Sequence, residues 1–301
     1  MNAVLIAMPG NEALADNLSM TLRLEPVLAT VRHFPDGESY VRVEGPVQGR
    51  HVVIACTLDR PDSKLVPLLL LACAAREAGA LSVGLVAPYL AYMRQDRQFQ
   101  PGEPVSAAHI GAWISLHIDW LVTVDPHMHR IADLSRVYPI PNRVAHAAGE
   151  IAGWVRAQVR QPLLIGPDEE SAQWVRDVAD RAGVPCIVLT KDRRGDRDVV
   201  VSVPEVERWH SHTPVLVDDI VSTARTMIET VGHLRRAGLP APVCVAVHAI
   251  FAQSAFEDLL SAGAAKVVSC DTIAHPSNRI ALGPVIAACV REILDPSTGG
   301  S

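Results

Sequence analysis

The chain has 301 residues, of which 49% are hydrophobic and 20% are charged, and its formal net charge at pH 7 is −6. This length suits two domains of ordinary size, and the apolar fraction provides cores for both and excludes a disordered chain. The acidic balance argues against nucleic acid or an anionic membrane as the main partner.

The sequence also lacks the signals of a membrane or secreted protein. No apolar run reaches the roughly 18 residues that a membrane span needs, and the first residues lack the basic flank and cleavage site of a signal peptide. Six cysteines lie mostly within apolar runs without a C-x-x-C pair, which favours buried reduced thiols over disulfides or zinc ligands. We therefore expect a cytoplasmic protein with no membrane and no nucleic-acid partner.

Short apolar strands alternate with helices along the chain. Four predicted helices stop at an Ala-Gly pair, and an apolar strand follows each pair. Glycine supplies the left-handed conformation that ends a helix, and repeated β-α-β units of this kind predict an α/β fold with mainly parallel sheets. The pairs are Ala78-Gly79, Ala182-Gly183, Ala237-Gly238 and Ala262-Gly263. The predicted strands are residues 4–7, 52–56, 81–87, 121–124, 163–165, 187–190, 215–217 and 242–249.

A weak internal repeat relates two parts of the chain. The strand-helix-strand segment 52–87 resembles segment 215–249, including the Ala-Gly stop before the second strand. This repeat predicts two similar domains, residues 1–141 and residues 142–301. The second segment alone carries an Asp-Asp pair and a hydroxyl-rich turn, so we expect a phosphate site only in the second domain.

Two further segments stand out in the first half. Residues 27–47 alternate apolar and polar side chains around Asp36-Gly37, which is the strongest short-range signal for a β-hairpin. Residues 89–106 hold three glutamines, two prolines and several charges, and do not resemble a packed element. We favour a lid or binding loop there over a solvated excursion, because loop arginines can close over phosphates.

Polar clusters follow four of the predicted strands. Each has an ordinary structural explanation when taken alone: a turn histidine, carboxylates that cap a helix, or a solvated charged turn. In an open parallel sheet, however, the carboxyl ends of the strands lie along one edge, where such folds bind ligands. Four clusters on one edge therefore favour a functional site. They occupy residues 125–129, 166–170, 191–194 and 218–226.

The most informative cluster is Asp218-Asp219 with Ser222-Thr223. We expect the carboxylates at the end of strand 215–217, and the hydroxyls as N-caps of the helix that follows. A strand that enters a helix through such a turn leaves backbone N–H groups that bind phosphate, whereas carboxylates suit sugar hydroxyls or a metal. An ordinary capped helix is the alternative.

The chain resembles the ribose-phosphate pyrophosphokinase (PRPP synthetase) family from about residue 3 to residue 294, with the family's motifs in order. It departs from the common pattern at Arg225, where glycine is usual, and at Ser222, where an acidic residue is usual. The matching segments are Phe34-x-Asp-Gly-Glu38 (adenine hairpin), Pro88-Tyr89 with Arg94-Gln-Asp-Arg97 (ATP-side loop), residues 124–129 (magnesium-associated histidine), Gly166-Pro-Asp168 (magnesium-linked aspartate), Lys191-x-Arg193 (catalytic basic pair), residues 217–226 (PRPP loop) and Asp271-Thr-Ile273 (end of the second domain).

This resemblance implies an α/β fold of two similar type I phosphoribosyltransferase-like domains, each with a mainly parallel sheet flanked by helices. It implies transfer of the diphosphoryl group of ATP to the 1-hydroxyl of ribose 5-phosphate, giving PRPP and AMP, with Mg²⁺ as cofactor. The hairpin of this family contacts the adenine of a neighbouring subunit, which implies self-association, at least a dimer and as much as a hexamer. The alternatives are a type I phosphoribosyltransferase that uses PRPP and a non-catalytic regulatory homologue.

The resemblance also assigns roles to individual residues. It leaves open whether Arg193 or Arg194 is the partner of Lys191. The assigned residues are Lys191 and Arg193 for catalysis; Phe34, Asp36, Glu38, Arg94, Gln95, Asp96 and His127 for ATP; Asp218, Asp219, Ser222, Thr223, Ala224, Arg225 and Thr226 for ribose 5-phosphate; and His127 and Asp168 for the metal.

Overall fold

The structure, a computed structural model, describes residues 2–128, 130–166, 171–194, 198–202 and 206–295. The strands are β1 (Ala3–Ala7), β2 (Glu25–Pro26), β3 (Ala29–His33), β4 (Ser39–Val43), β5 (His51–Ala55), β6 (Ser82–Ala87), β7 (Trp120–Val124), β8 (Asn142–Ala145), β9 (Pro162–Gly166), β10 (Cys186–Val188), β11 (Thr190–Arg194), β12 (Asp198–Ser202), β13 (Thr213–Val221), β14 (Val243–Ala249), β15 (Lys266–Cys270) and β16 (Asn278–Ile280). The α-helices are α1 (Glu12–Leu22), α2 (Asp62–Glu77), α3 (Ser106–Ser115), α4 (Ala148–Gln158), α5 (Ala172–Ala182), α6 (Arg225–Arg236), α7 (Ala255–Ser261) and α8 (Gly283–Leu294).

The chain divides into two compact units, and the last helix belongs to the first of them. The first unit runs to His146 and resumes at Gly283, and the second is Ala147–Leu282. Helix α8 packs against α1, β7 and β8 through a face that includes Ile286 and Val290. The apolar face of α8 thus covers the first sheet, which the sequence-based division at residue 141 did not anticipate.

The first unit is built on a six-stranded sheet in the order β2-β1-β5-β6-β7-β8, in which every pair is parallel. Its central strands are short apolar runs, and Val52, Val53 and Ile54 of β5 have no exposed surface. Strands of a parallel sheet are covered on both faces by helices, which is why they read as continuous apolar runs. The β3–β4 hairpin follows β2 and forms a separate antiparallel ribbon.

The second unit repeats this architecture. Its six-stranded parallel sheet has the order β10-β9-β13-β14-β15-β16, and the antiparallel hairpin β11–β12 again follows the second strand. The internal repeat is confirmed, because β5 and β6 occupy the same places in their sheet as β13 and β14. The hairpin itself was missed: the charged residues 191–194 were interpreted as a turn, whereas they form a strand.

The predicted helix stops and the predicted hairpin are confirmed. Gly79, Gly183, Gly238 and Gly263 all have positive φ, between 67° and 106°. The tip of the β3–β4 hairpin closes with a hydrogen bond from Phe34 N to Glu38 O (2.7 Å). Glycine lacks the Cβ that makes positive φ costly, so the signal was carried by residue type alone.

The cysteines are free, as expected, but only half of them are core residues. Cys56, Cys244 and Cys270 are buried, and burial raises the pKa of the Cys56 and Cys244 thiols to about 12. The other three are only partly buried. Within the described ranges, no helix is long and apolar enough to cross a membrane.

Candidate active site

Strand order places one edge of each sheet at a topological switch point. In the second unit, chain connections leave in opposite directions from β9 and β13, which are neighbours. A crevice outside the carboxyl ends of two such strands is where doubly wound folds bind ligands. The Asp218-Asp219 pair lies in the carboxyl-terminal part of β13, at this switch point.

The two carboxylates lie within the strand rather than after it, which corrects the sequence-based boundary. Strand β13 continues to Val221, and Asp218 and Val221 are in register with Ala246 and Ala249 of β14. Both carboxylates are half-buried and bind the backbone beside them. Asp218 Oδ1 accepts from the N–H of Asp219 (3.0 Å), and Asp219 Oδ1 accepts from the N–H of Ile220 (2.7 Å). These bonds restrict the side chains at the edge.

The turn after β13 differs from the predicted hydroxyl cap. Helix α6 begins at Arg225, its N-cap residue is Ala224, and no side chain of the described residues caps it. Ser222 is tied instead through its carbonyl, which accepts from the N–H of Ala252 (3.1 Å). The N–H groups of the first turn have no intrahelical acceptor, so they remain donors for an anion.

Ala224 and Arg225 both make this turn unusual. Ala224 has φ 57°, a left-handed conformation that costs roughly 1–2 kcal/mol for a residue with a Cβ, although its methyl group is buried in the core. Strained residues of this kind concentrate at functional sites. Arg225 is exposed at the positive end of the α6 dipole, where a cation is unfavourable unless an anion binds there. The strained backbone at Ala224 and the exposed charge of Arg225 both suit a phosphate-binding site.

The equivalent turn of the first unit, after β5, is closed by a side chain. Asn11 is 4% exposed, and its Oδ1 accepts from the N–H of Thr57 (2.7 Å) while its Nδ2 donates to the carbonyls of Met8 and Pro9 (both 3.2 Å). A backbone donor of this turn is therefore already satisfied. This gives a physical reason to expect the phosphate site only in the second unit.

The loop between β6 and α3 is only partly the polar excursion that its sequence predicts. No helix or strand forms between Ala87 and Ser106, but Tyr89, Leu90, Ala91 and Met93 are all at most 8% exposed and pack into the core. The interpretation of the whole segment as unpacked is therefore wrong for its first residues. The exposed part begins at Arg94.

Two hydrogen bonds anchor the first half of the loop, one on each side of Arg94. Tyr92, in a left-handed conformation (φ 62°), donates its hydroxyl to Asp62 at the start of α2, and this hydrogen bond raises the pKa of Tyr92. Gln95 Oε1 accepts from Ser106 Oγ (2.6 Å) at the start of α3. Arg94 therefore projects from a fixed base, and its position is less free than a solvated loop would allow.

The end of β7 lies on the same edge of the first sheet. Asp125 has φ 28°, its side chain is 10% exposed, and it pairs with His146 Nδ1 (2.8 Å). His127 follows and is half-buried. Three residues later, the guanidinium of Arg130 lies 3.5 Å from the carboxylate of Asp96, so a contact joins the loop to the segment that carries His127. Asp125 belongs to the polar cluster 125–129 but was given no role of its own, and Arg130 was not singled out because nothing in its local pattern distinguishes it from an ordinary surface charge.

The tip of the β3–β4 hairpin is exposed. The side chain of Phe34 contacts Tyr40 edge-on (5.9 Å between ring centroids), and the Arg32 guanidinium stacks over both rings. Asp36 accepts a hydrogen bond from the N–H of Glu38 (3.2 Å), so its side chain stabilises the turn. An open groove of about 510 Å³ separates the hairpin from α2, and Glu38 lines it whereas Phe34 does not.

The remaining predicted site residues are described only in part. Lys191 and Arg193 lie in β11, in register with Val201 and Val199 of β12. Asp168 lies outside the described residues. The segment at 271–273 is structural: Thr272 is 2% exposed and donates to the carbonyl of Val247 (2.8 Å).

The described donors fit a magnesium ion only as minor ligands. Among these residues, no group of three or more His, Cys, Asp or Glu side chains is placed to hold a metal. Magnesium binds through one or two protein groups together with water and substrate phosphates, so a nucleotide-borne ion needs no larger protein cluster. The half-buried His127 at the end of β7 suits that limited role.

Comparisons with known proteins agree across both units. The model of the N-terminal domain of ribose phosphate pyrophosphokinase matches residues 3–115, and the phosphoribosyl transferase domain model matches residues 133–283. The ribose-phosphate pyrophosphokinase of Methanopyrus kandleri is 34% identical over 274 residues, covering 90% of this chain and 93% of the relative. That of Halobacterium salinarum is 34% identical over 260 residues, covering 86% and 90%.

The fold has a solved counterpart. The crystal structure of phosphoribosylpyrophosphate synthetase from Mycobacterium smegmatis superposes with a TM-score of 0.84 at 22% identity, covering 98% of this chain and all of the other. At this identity the likeness supports the fold, while the sequence relatives and domain models carry the assignment. The two domain models match the two halves of the chain in this order. The chain belongs to the ribose-phosphate pyrophosphokinase family.

Proposed function

We propose that the chain is a ribose-phosphate diphosphokinase, which transfers the β,γ-diphosphoryl group of ATP to the 1-hydroxyl of ribose 5-phosphate. The observation that carries the proposal is the turn after β13, where uncapped helix N–H groups follow two adjacent carboxylates at the switch point. The family assignment over both units supports ribose 5-phosphate as the substrate that this turn binds. A phosphoribosyltransferase and a regulatory homologue are not favoured, because the relatives match along nearly the whole chain under one enzyme name.

The acceptor sugar would bind to this turn through complementary groups. The 5-phosphate meets the first-turn N–H groups of α6, the hydroxyls of Ser222, Thr223 and Thr226, and the guanidinium of Arg225. Asp218 and Asp219 accept hydrogen bonds from the ribose 2- and 3-hydroxyls. Carboxylates next to a phosphate would repel it. Asp218 and Asp219 lie in β13, before the phosphate-binding turn, and this position suits contact with the sugar ring.

The ATP-side groups are those of the first unit. In the anchored loop Arg94 is exposed and Gln95 is half-buried, and His127 follows the end of β7. The hairpin that carries Phe34, Asp36 and Glu38 has an exposed aromatic side chain at its tip, which suits stacking on an adenine. In the family resemblance that adenine belongs to a neighbouring subunit, so we propose a homo-oligomer, at least a dimer, and a cytoplasmic enzyme.

The reaction is an in-line displacement at the β-phosphorus. The 1-hydroxyl oxygen of the ribose forms the new bond, the bond from the β-phosphorus to the oxygen bridging to the α-phosphate breaks, AMP leaves with that oxygen, and the hydroxyl proton is released. Little covalent work falls to the protein in such a step, so positioning and charge stabilisation supply most of the catalysis. Bound Mg²⁺, held by His127 and Asp168 with the phosphates, would neutralise part of the phosphate charge.

Lys191 and Arg193 supply the remaining positive charge in this proposal. Strand β11 contains Lys191, Arg193 and Arg194. The family resemblance favours Arg193 as the partner of Lys191, with Arg194 as the alternative.

The products distinguish the proposed reaction from its alternatives. With ATP, Mg²⁺ and ribose 5-phosphate, we expect AMP and PRPP, and ATP labelled in its β-phosphate should transfer the label to the sugar. Chromatography of the nucleotides provides the measurement, and omission of ribose 5-phosphate should abolish AMP formation. ADP as the sole nucleotide product would contradict diphosphoryl transfer, and consumption of added PRPP in the presence of a nucleobase would indicate a phosphoribosyltransferase.

If Asp219 binds the sugar, its substitution should change KM for ribose 5-phosphate. Asp219→Asn is expected to raise KM for ribose 5-phosphate by about 10-fold to 100-fold, because one charged acceptor for a sugar hydroxyl is lost. KM for ATP should stay within about 2-fold of wild type, because in this proposal Asp219 makes no hydrogen bond to ATP. The matched control is Asp177→Asn, an exposed residue of the same unit paired with Arg181 (2.9 Å), which should change neither constant. An unchanged KM for ribose 5-phosphate in Asp219→Asn would remove Asp219 from the sugar site.

A further inference from the structure

A buried carboxylate in the ATP-side loop lacks the partners that its burial requires. The side chain of Asp96 has no exposed surface, and among the described residues neither of its carboxylate oxygens has a hydrogen-bond partner. Burying an ionised carboxylate is expensive unless a cation compensates it. The compensating charge is Arg130, whose Nη1 lies 3.5 Å from Asp96 Oδ1.

The arginine connects this carboxylate with the chain segment that carries His127. Arg130 lies three residues after His127, and 39% of its side chain is exposed. A guanidinium carries five N–H donors in a planar fork, so one edge can meet a carboxylate while another meets a phosphate. Arginine is also suited to binding phosphate because its charge is permanent.

Asp96 itself is poorly suited to bind ATP. A carboxylate facing a polyphosphate would repel it, and this one is turned into the protein. The distance of 3.5 Å is longer than a charged hydrogen bond, which suits a charge–charge contact that orients the arginine. The residue therefore fits a supporting role better than a ligand role.

We propose that Arg130 is a further ligand of the ATP polyphosphate, and that Asp96 is a positioning residue that holds its guanidinium beside His127. The contact joins the loop of Arg94 to the segment after β7 that carries His127, so two ATP-side segments are aligned together. This inference rests on the proposed function, since it assigns Arg130 to the ATP side of the same site.

The test is a double-mutant cycle between the two residues. Arg130→Met should raise KM for ATP by about 10-fold or more, the loss expected for one charged hydrogen bond, and leave KM for ribose 5-phosphate unchanged. Asp96→Asn should raise KM for ATP by a smaller factor, about 3-fold, and should have no further effect in the Arg130→Met background, because it acts through the arginine. Additive effects would overturn the positioning role.

Thermal unfolding separates this role from a purely structural ion pair. Arg130→Met leaves Asp96 buried without its cation and should lower Tm, whereas Asp96→Asn in that background removes the buried charge and should raise Tm again. KM for ATP should stay high in the double variant although stability returns. If KM followed Tm back to the wild-type value, or never changed, Arg130 would be structural only.

A control and a second readout keep the inference distinct from the proposed reaction. Asp119→Asn removes another Asp–Arg contact of the first unit, to Arg76 (2.7 Å), just before β7 at the opposite end of that strand, and should leave KM for ATP unchanged. Calorimetric binding of Mg·ATP to the unreacted protein should show the same order of affinities. Absence of AMP in the wild-type assay would refute the reaction, whereas equal ATP affinity of wild type and Arg130→Met would refute the inference alone.

Discussion

Lys191→Ala is expected to lower the turnover number by about 10³-fold or more while leaving the protein folded. The proposed displacement builds negative charge on the phosphate oxygens, and removal of one preorganised donor to such charge typically costs 10²-fold to 10³-fold, with larger losses for cationic groups in phosphoryl transfer. KM for ribose 5-phosphate should change little, because the turn after β13 binds that substrate. Steady-state formation of AMP measures the turnover number, and circular dichroism verifies the fold.

The chain offers a close control for this substitution. It has only three lysines, and Lys266 is exposed at the start of β15 in the same unit, with its ammonium 5.5 Å from the centroid of the Trp154 ring. Lys266→Ala removes the same charge from the same unit away from the hairpin β11–β12, so its turnover number should match wild type. A Lys191→Ala variant with a near-wild-type rate would remove the catalytic role of this residue.

The sequence predicted the parallel sheets because the governing signals are local. The Ala-Gly stops and the apolar strands each depend on a few adjacent residues, and so does the hairpin at Asp36-Gly37. Where tertiary pairing decides, the prediction failed. Residues 191–194 are too charged to indicate a strand, yet a partner strand at 198–202 makes them one.

The sequence predicted at which edge of the sheets the site lies, but not the contacts that its residues make. Residue types identify the Asp218-Asp219 turn and the loop arginine, and the family resemblance gives them roles. Three features were not visible in the sequence: the left-handed conformation of Ala224, the hydrogen bond from Thr57 N–H to Asn11, and the burial of Asp96. Each depends on segments distant along the chain or on the local backbone. Asn11 and Thr57 are 46 residues apart, and no local pattern relates them.

Gly84→Ala is expected to be the most damaging single-methyl substitution in the first sheet. Gly84 of β6 is in register with Trp120 of β7, and a Cβ at residue 84 would lie 1.9 Å from Cε2 of the indole. Trp120 is 4% exposed, so its ring cannot swing into solvent, and the strands would have to separate. Overpacking usually costs about 1–3 kcal/mol, and a rigid neighbour on an adjacent strand places this change at about 3 kcal/mol or above. Urea unfolding followed by tryptophan fluorescence and circular dichroism provides the measurement.

Two further variants distinguish steric conflict from a general intolerance of glycine replacement. Trp120→Leu combined with Gly84→Ala removes the atoms that the methyl group would strike, so the double variant should be more stable than the sum of the two single changes predicts. Gly153 in α4 has no heavy atom within 4 Å of an added Cβ, and Gly153→Ala should stabilise the protein by roughly 0.5–1 kcal/mol through helix propensity. If Gly84→Ala had the same urea midpoint as wild type, the Trp120 ring could move away from the added methyl group, and the predicted clash would be wrong. A double variant that only adds the two losses would place the cause of the instability elsewhere than in the contact between residue 84 and the ring.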